Sequence, residues 1–368
     1  MSEPIRILHV VTYMGRGGLE TMLMNYYRHI DRTRVQFDFL VHRDFRADYD
    51  DEIESLGGII YRLPRLVPWS GSYRAALDTF FEEHPMYRIV HVHQDCLSSV
   101  ILKAAQKHGV PVRIAHSHNS NQDKNLKYLI KLFYRRLIPG YATDLYACGK
   151  QAGEWMFMGH PFRIVNNAID ASKYVYSADK AEEVRDKLDI GRNSIVLGHV
   201  GRFSATKNHT LLLDIFKAVC DLREDATLLL VGDGDLRTTM EQKAEQLGIR
   251  NRVIFTGIRS DVAELMQAMD VFVFPSIYEG LPLTLVEAQA AGLPCVISAN
   301  IPPECKMTPL VEQISLESTA EFWAEQVLSS VNNERNDTHE QIAAAGFDIV
   351  ENARRLQDEY LIKWKVCE

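Results

Sequence analysis

The sequence predicts an α/β protein built from two doubly wound domains, each with a parallel sheet. Short apolar runs alternate with helical patterns along the whole chain, which is typical of parallel βαβ units. Several apolar runs end in glycine or polar residues directly before a helical pattern, as strand-to-helix turns do. A chain of 368 residues is also too long for one ordinary hydrophobic core.

The first half of the chain supplies the strands and helices of one predicted domain. A helix at 21–30 follows the first strand, and further helical patterns separate the later strands. The predicted strands of this half are 5–11, 35–41, 59–61, 89–93, 112–116 and 144–147.

The second half repeats the pattern and begins within 172–193, where the charged segment 180–188 predicts a linking helix. Helices are expected at 209–222 and 236–247, and a last helix at 349–366. The predicted strands of this half are 195–201, 227–231, 253–256, 271–274 and 294–298. The carboxyl ends of such strands are where doubly wound domains bind ligands.

The bulk composition excludes several classes of protein. No apolar run approaches the roughly 20 residues of a membrane span, and the first residues lack the basic and apolar regions of a signal peptide. The six scattered cysteines indicate free thiols in a cytoplasmic protein. Residues 1–170 carry a net charge of +3 and the remainder −11, which argues against a nucleic-acid-binding protein.

The most informative stretch runs from Glu279 to Glu287 and follows the buried strand predicted at 271–274. Gly280 and Leu281 form a turn, and Pro282 stands where a helix can begin without leaving a backbone N–H unpaired. Free N–H groups at a helix start suit phosphate, and carboxylates suit sugar hydroxyls. The stretch therefore predicts a site for a polyhydroxylated, anionic ligand.

A pair of cations follows the strand predicted at 195–201. Arg202 comes directly after Gly201, and Lys207 lies five residues further on. A guanidinium fork and a point charge at the carboxyl end of a strand suit a diphosphate. Two solvated surface cations fit the same spacing, so the pair alone leaves both interpretations open.

In the first half, the candidate residues are glycines and a histidine. Gly17 and Gly18 lie in the turn after the first strand, where glycine lets the backbone approach a phosphate or sugar. His118 follows the strand at 112–116 and could hydrogen-bond a sugar hydroxyl or polarise a reacting group. No helical His-x-x-x-His pair or acidic partner cluster occurs, so no metal site is expected. His91 and His93 alternate with apolar residues and are expected to be structural.

The segment 124–141 interleaves cations with apolar and aromatic residues. A helix lying on an anionic membrane surface has this composition, and a helix packed on a sheet with solvated cations has it as well. The cations of this candidate membrane- and acceptor-facing segment are Lys124, Lys127, Lys131, Arg135 and Arg136.

Six short motifs in a fixed order resemble glycosyltransferase family 4, and the likeness covers nearly the whole chain. It is strongest to bacterial transferases of capsular, exopolysaccharide and teichoic-acid assembly. The motifs are Gly17-Gly18-Leu19-Glu20, His116-Ser117-His118-Asn119, Asn167-Ala168-Ile169-Asp170, Val200-Gly201-Arg202-Phe203, Lys207-Asn208-His209 and Pro275-Ser276-Ile277-Tyr278-Glu279-Gly280-Leu281-Pro282. Leu19 stands where many relatives have alanine, a conservative difference.

The resemblance implies the GT-B fold, with two Rossmann-like domains facing across a cleft. The first domain would span 1–171, and the C-terminal helix, 349–368, would pack against it. The donor-binding domain would span 172–348. The resemblance further implies a retaining transferase that moves a hexose from a nucleotide sugar, expected to be a UDP-sugar, to a lipid-linked polysaccharide. No metal or other cofactor is expected, and attack on the sugar would occur from the front face.

The same resemblance assigns roles to the candidate residues. Arg202 and Lys207 would hold the diphosphate, Glu287 would bind the ribose, and Glu279 would contact the sugar. The backbone after Glu279, at Gly280, Leu281 and Pro282, would reach the sugar and phosphate. Gly17 and Gly18 would allow close approach to the diphosphate, and His118 would lie near the anomeric carbon.

Two alternative functions remain beside the transferase. One is a nucleotide-sugar 2-epimerase, which resembles the same fold, and the other is a catalytically silent subunit that binds a nucleotide sugar. For a transferase, the expected partners are the donor, a lipid-linked glycan and an anionic membrane surface at the inner face of the cell membrane, with no nucleic acid.

Overall fold

The structure, a computed structural model, describes residues 3–119, 128–331 and 335–367. The chain divides into two compact units. The first unit comprises residues 1–168 and 349–368, and the second comprises 169–348. The boundary predicted from the sequence lies at residue 171.

The first unit contains a seven-stranded sheet with the order β3-β2-β1-β4-β5-β6-β7. Every neighbouring pair of strands is parallel. The strands are β1 (Ile5–Val10), β2 (Val35–Val41), β3 (Ile60–Arg62), β4 (Ile89–Val92), β5 (Val112–Ser117), β6 (Asp144–Ala147) and β7 (Arg163–Ile164). The helices are α1 (Gly18–His29), α2 (Asp50–Ser55), α3 (Gly71–Glu83), α4 (Ser98–Lys107), α5 (Tyr128–Tyr141), α6 (Lys150–Phe157) and the C-terminal helix α14 (Ile349–Val366).

The second unit contains a six-stranded parallel sheet with the order β10-β9-β8-β11-β12-β13. The strands are β8 (Ile195–Val200), β9 (Ala226–Val231), β10 (Val253–Phe255), β11 (Val271–Phe274), β12 (Cys295–Ser298) and β13 (Val311–Ile314). The helices are α7 (Ala178–Lys187), α8 (His209–Leu222), α9 (Arg237–Gln246), α10 (Val262–Leu265), α11 (Leu283–Ala290), α12 (Ala320–Ser330) and α13 (His339–Ala344).

The strand order places the ligand-binding edge of each sheet. In the first unit the order reverses between β1 and β4, and in the second between β8 and β11. Doubly wound sheets bind ligands outside the carboxyl ends of the strands at such a switch point. The loop carrying Gly201 follows β8, and the loop carrying Glu279 follows β11, so both candidate loops lie at the switch point of the second sheet.

Helix α14 packs within the first unit, as the sequence analysis expected for the C-terminal helix. Its buried residues Ile349, Ala353, Leu356 and Tyr360 recur at helical spacing and join the core formed by β1, β2 and α1. Among the described residues, no helix combines the length and the apolar character that crossing a bilayer requires.

The predicted strands are all present, and the prediction of two Rossmann-like parallel sheets is confirmed. Strands β7 and β13 were not predicted, because both residues of β7 and the two central residues of β13 are exposed, which leaves no continuous apolar run. Helix α1 begins at Gly18 rather than at residue 21. Its N-cap is Gly17, which has no side chain to mark the start of the helix.

Candidate functional site

In the second unit, the β8–α8 loop presents the two predicted cations. Arg202 is exposed, and Lys207 is partly buried at the end of a short 3₁₀ turn. This loop is fixed to the segment after β11, since Ile277 N–H donates to the Thr206 carbonyl at 2.8 Å and the Asn208 side chain donates to the Pro275 carbonyl at 3.2 Å. The two loops therefore form one continuous surface at the switch point.

A third loop, after β9, packs against the same surface through Gly232. This residue has φ +138°, and a Cβ at this position would overlap the carbonyl group of Gly201. Only glycine allows the two backbones to approach so closely. The Phe203 N–H also donates to the Asp233 carbonyl at 3.1 Å, which fixes the backbone beside Arg202.

Lys207 and Glu279 form the central ion pair of this surface. The Lys207 Nζ lies 2.7 Å from Glu279 Oε1 and 4.6 Å from the centre of the Phe274 ring. Each side chain is less than one-fifth exposed. An ammonium group has three donors, so Lys207 can keep this carboxylate and still bind an anionic oxygen.

The turn after Glu279 leads directly into α11. Pro282 is the N-cap of this helix, and Gly280, Leu281 and Pro282 are buried. Two buried hydroxyl oxygens, Ser276 Oγ and Thr284 Oγ1, have no hydrogen-bond partner within the part of the chain that the structure describes. Buried polar atoms without a hydrogen-bond partner indicate a place where a ligand or a water molecule supplies that partner. Neither hydroxyl was predicted from the sequence, although Thr284 lies between Glu279 and Glu287.

Glu287 is a buried carboxylate one turn further along α11. It is 5% exposed, and the Tyr174 hydroxyl donates to Glu287 Oε1 at 2.8 Å. Burial raises the pKa of Glu287 to about 7, and the hydrogen bond from Tyr174 opposes this shift. Tyr174, which lies shortly after the motif that ends at Asp170, was not predicted from the sequence.

In the first unit, Gly17 and Gly18 form the start of α1, directly after the β1 loop. A Cβ on Gly17 would overlap the Glu20 carboxylate, whereas a Cβ on Gly18 would meet nothing within 4 Å. The Glu20 carboxylate is the end of a flexible side chain, so a Cβ at Gly17 would require only that side chain to shift. The space beside Gly18 leaves its backbone accessible to a ligand.

His118 follows β5 in the first unit, as predicted. Its Nε2 lies 2.8 Å from His93 Nδ1, and its Nδ1 is buried without a partner among the described residues. Burial lowers the pKa of His118 to about 3, so the ring is neutral near pH 7. A neutral imidazole can donate or accept one hydrogen bond at the free nitrogen.

Histidines from neighbouring strands meet around His118. Two groups of three have ring nitrogens within 4.8 Å of one another, a spacing that a metal ion could use. The groups are His9, His91 and His93, and His93, His116 and His118. These groups were not predicted from the sequence, because each draws its members from two different strands. Both nitrogens of His91 and of His93 are hydrogen-bonded to neighbouring side chains.

The cationic segment is described from Tyr128 onward, where it forms α5; Lys124 and Lys127 lie outside the described residues. Arg136 is exposed and Lys131 is partly buried. Arg135 instead donates to the Trp155 carbonyl at 3.0 Å and stacks over the Trp155 ring at 4.9 Å. Two apolar side chains of the same helix are strongly exposed, Leu129 at 76% and Phe133 at 59%.

Comparison with known proteins identifies the family. The model of Glycosyltransferase Family 4 matches residues 16–173, and the model of Glycosyl transferases group 1 matches residues 180–347. EpsF of Bacillus subtilis (strain 168), named as a glycosyltransferase, is 37% identical over 98% of this chain and 97% of its own.

Two further proteins extend this comparison. The UDP-Gal:alpha-D-GlcNAc-diphosphoundecaprenol alpha-1,3-galactosyltransferase of Escherichia coli is 27% identical over 75% of each chain. Anabaena HepE, solved in complex with UDP and glucose, superposes with a TM-score of 0.79 at 19% identity over 97% of this chain and 99% of its own, which establishes the GT-B fold. The chain therefore belongs to glycosyltransferase family 4 and is a glycosyltransferase of the GT-B fold.

Proposed function

We propose that this glycosyltransferase transfers a hexose from a UDP-sugar to a lipid-linked polysaccharide acceptor, with retention of configuration and without a metal ion. One observation carries the proposal: Lys207, Glu279 and Glu287 lie on adjoining loops and a helix at the switch point of the second sheet. Two relatives support the choice of substrates. HepE was solved with UDP, and the E. coli relative is named for UDP-Gal and a diphosphoundecaprenol acceptor.

Arg202 and Lys207 bind the donor diphosphate in this proposal. The leaving nucleotide gains negative charge as its bond to the sugar breaks, and fixed cations stabilise that charge in the transition state. Removing one such group typically lowers turnover by about 10²–10³. Since these two cations can offset the charge, the reaction does not require a divalent ion.

Glu279 binds hydroxyls of the donor sugar rather than acting as a nucleophile. Its ion pair with Lys207 holds it beside the diphosphate-binding cation. The backbone of Gly280, Leu281 and Pro282 then lies against the sugar and phosphate. The buried hydroxyl groups of Ser276 and Thr284 are further hydrogen-bonding groups that this ligand can satisfy.

Glu287 binds the ribose hydroxyl groups. A carboxylate accepts both hydroxyl protons of a vicinal diol, and each hydrogen bond to a charged acceptor contributes about 1.5–3 kcal/mol. Tyr174 orients the carboxylate through its hydrogen bond to Oε1. In the first unit, Gly17 and Gly18 offer backbone to the diphosphate, and His118 contributes a hydrogen bond near the anomeric carbon.

Retention follows from attack on the same face that the leaving group departs from. The bond between the anomeric carbon and the diphosphate oxygen breaks while the bond to the acceptor oxygen forms. The acceptor proton passes to an oxygen of the departing phosphate. This route requires no carboxylate nucleophile, which agrees with the engagement of Glu279 by Lys207.

The acceptor and the membrane are proposed to meet the first unit at α5. Exposed Leu129 and Phe133 can enter the interfacial region, while Lys131 and Arg136 attract anionic headgroups. Arg135 is assigned to packing against Trp155 and not to the membrane. The enzyme would then act at the inner face of the cell membrane, where a lipid-linked glycan is accessible.

A panel of nucleotide sugars tests this function directly. Purified protein is incubated with each donor, with and without EDTA, and slow hydrolysis to the free sugar is followed. We expect a UDP-hexose to be hydrolysed, EDTA to have no effect, and Lys207→Met to slow the reaction by about a hundredfold or more. Hydrolysis that requires added divalent metal, or that is undiminished in Lys207→Met, would contradict the proposal.

A further inference from the structure

Five buried or half-buried histidines lie along the carboxyl ends of three adjacent strands of the first sheet. His9 lies on β1, His91 and His93 lie on and directly after β4, and His116 and His118 lie on and directly after β5. Residues two apart on a strand project from the same face. Accordingly, the rings stack on one another, with centroid distances of 4.4 Å for His91 and His93 and 4.1 Å for His116 and His118.

The five rings form two separate hydrogen-bonded series. In the first, which we call the His118 series, His9 Nδ1 lies 3.1 Å from His93 Nε2, and His93 Nδ1 lies 2.8 Å from His118 Nε2. In the second, the Tyr360 hydroxyl lies 2.7 Å from His91 Nδ1, and His91 Nε2 lies 3.1 Å from His116 Nδ1. The two series stack on each other but exchange no hydrogen bond among the described residues.

Proton counting restricts the His118 series to two arrangements. Burial lowers the pKa of His9 and His118 to about 3 and that of His93 well below its ordinary value, so all three rings are neutral near pH 7. A neutral imidazole carries one proton, on one of its two nitrogens. Each of the two contacts in the series needs one proton. The donors of both contacts must therefore point in the same direction, and the third ring carries its proton on the nitrogen that faces away from the series.

The two arrangements differ only at the ends of the series. If the rings donate toward His118, then His118 Nδ1 carries an N–H and His9 Nε2 is a bare acceptor. If they donate toward His9, then His9 Nε2 carries the N–H and His118 Nδ1 is bare. Both end nitrogens are buried without a partner among the described residues.

The surroundings of the two ends select the first arrangement. His9 is 0% exposed, its ring packs on Phe37 at a centroid distance of 4.2 Å, and its Nε2 has no acceptor among the described residues. His118 Nδ1 is buried as well, but the residue as a whole is only half-buried and follows the end of its strand, the edge at which doubly wound sheets bind ligands. Orphaned buried N–H groups are rarer in proteins than under-satisfied acceptors, so the N–H belongs at the end where a ligand can supply an acceptor. The proton therefore belongs at His118 Nδ1.

We propose that His9 and His93 are positioning residues that hold His118 as the Nδ1–H tautomer, so that His118 presents a neutral hydrogen-bond donor to an oxygen of the donor sugar. The assignment of the ligand rests on the proposed function, whereas the tautomer is a property of the free protein. In this role His118 binds an oxygen atom and does not remove a proton. The hydrogen bonds within the series also occupy both nitrogens of His93, which a metal ion shared with His116 and His118 would need.

Nitrogen NMR of the free, full-length protein tests the tautomer without any substrate. The protein is labelled with ¹⁵N-histidine, and two-bond nitrogen–proton correlations report which ring nitrogen of each histidine carries the proton. We expect His9, His93 and His118 each to be protonated at Nδ1 alone. Protonation of His118 at Nε2 or at both nitrogens, or a stoichiometric metal ion in the purified protein with metal-shifted nitrogen signals, would overturn the proposal.

A pair of matched variants tests whether the series, rather than ring stacking, controls His118. His93→Phe keeps an aromatic ring but removes both hydrogen bonds of the series, whereas His116→Phe removes a ring that stacks on His118 without belonging to the series. We expect His118 to leave the Nδ1–H tautomer in His93→Phe and to keep it in His116→Phe. Equal spectra for the two variants would contradict the proposal.

Kinetics then connect the tautomer to the reaction. Loss of one hydrogen bond to the sugar predicts a roughly tenfold fall in kcat/KM for the sugar donor in His93→Phe. The affinity for UDP should not change, because UDP has no sugar at this position. His93→Asn, whose amide nitrogen takes the position of His93 Nδ1 and so restores an N–H facing His118, should recover part of the loss. If the tautomer is confirmed but kcat/KM does not change, the proposed contact with the sugar is wrong, whereas the hydrogen-bonded series is correct. If His93→Phe does not fold, the spectrum of the native protein decides the tautomer.

Discussion

Glu287 provides the sharpest prediction, because the structure gives it a measurable cost to stability. The carboxylate is buried on α11, and burial raises its pKa from 4.5 to about 7. A tenfold change in an ionisation constant corresponds to about 1.4 kcal/mol. The ionised side chain therefore destabilises the folded protein by about 3 kcal/mol when the folded and unfolded pKa values differ by this much.

The pH range of this cost follows from the direction in which the pKa moves. The folded state holds the proton more tightly than the unfolded chain does, so stability is complete below pH 4.5 and falls as the pH rises toward 7. Above pH 7 the full cost of about 3 kcal/mol is present. Glu287→Gln removes the titrating group and keeps an oxygen to accept the hydrogen bond from Tyr174.

Urea unfolding of the native protein and Glu287→Gln at pH 5 and pH 8 measures this effect. We expect the two proteins to differ by less than about 1 kcal/mol at pH 5, and the variant to be more stable by about 3 kcal/mol at pH 8. Glu312→Gln, at an exposed carboxylate of the same unit, serves as the matched control and should change neither value. If the difference in the free energy of unfolding between Glu287→Gln and the native protein is the same at pH 8 as at pH 5, the reasoning is refuted.

The same substitution should damage function while it improves stability. A buried ionisable group that destabilises the fold is expected where binding requires it. We expect Glu287→Gln to weaken UDP binding by about tenfold to a hundredfold, because the hydrogen bonds to the ribose lose their charge. Unchanged UDP affinity by calorimetry would remove Glu287 from the nucleotide site.

Three further predictions concern the cations, a glycine and the membrane face. Lys207→Met should lower transfer by about a hundredfold or more with an unchanged circular dichroism spectrum; near-normal activity would exclude Lys207 from the diphosphate site. Gly232→Ala should lower the unfolding midpoint, because its Cβ would overlap the backbone of the β8 loop at φ +138°, whereas Gly191→Ala, where a Cβ would meet nothing within 4 Å, should not; equal midpoints would contradict this account of the loop. Changing Lys131 and Arg136 together to Glu should weaken flotation with anionic vesicles, and unchanged flotation would make α5 an ordinary domain helix.

The fold could be predicted from the sequence because buried parallel strands and amphipathic helices leave strong periodic signals. The strands inside the sheets and the edge strands β3 and β10 were found, whereas the edge strands β7 and β13 were not. The residues of β7 and the central residues of β13 are exposed, so these two strands lack a continuous apolar run. The start of α1 was placed too late because its glycine N-cap carries no capping side chain.

The candidate site could be predicted in part, since its main residues lie in short motifs at the ends of strands. The partners that come from distant parts of the chain could not. Tyr174 reaches Glu287 from 113 residues away in sequence, and the His118 series depends on the register of three strands. The contact of Arg135 with Trp155 likewise joins α5 to another helix, and the sequence of α5 alone does not reveal it. Such contacts arise from tertiary structure and leave no local signal.

The most direct test of the central claim is a time course of the reaction with the UDP-hexose that the nucleotide-sugar panel identifies, followed by ¹H NMR at the anomeric proton. We predict that the first sugar released or transferred has the anomeric configuration of the donor, and that Lys207→Met forms it at a rate lower by about a hundredfold or more. An initial product of inverted configuration would contradict retention. An undiminished rate in Lys207→Met would contradict the donor site itself.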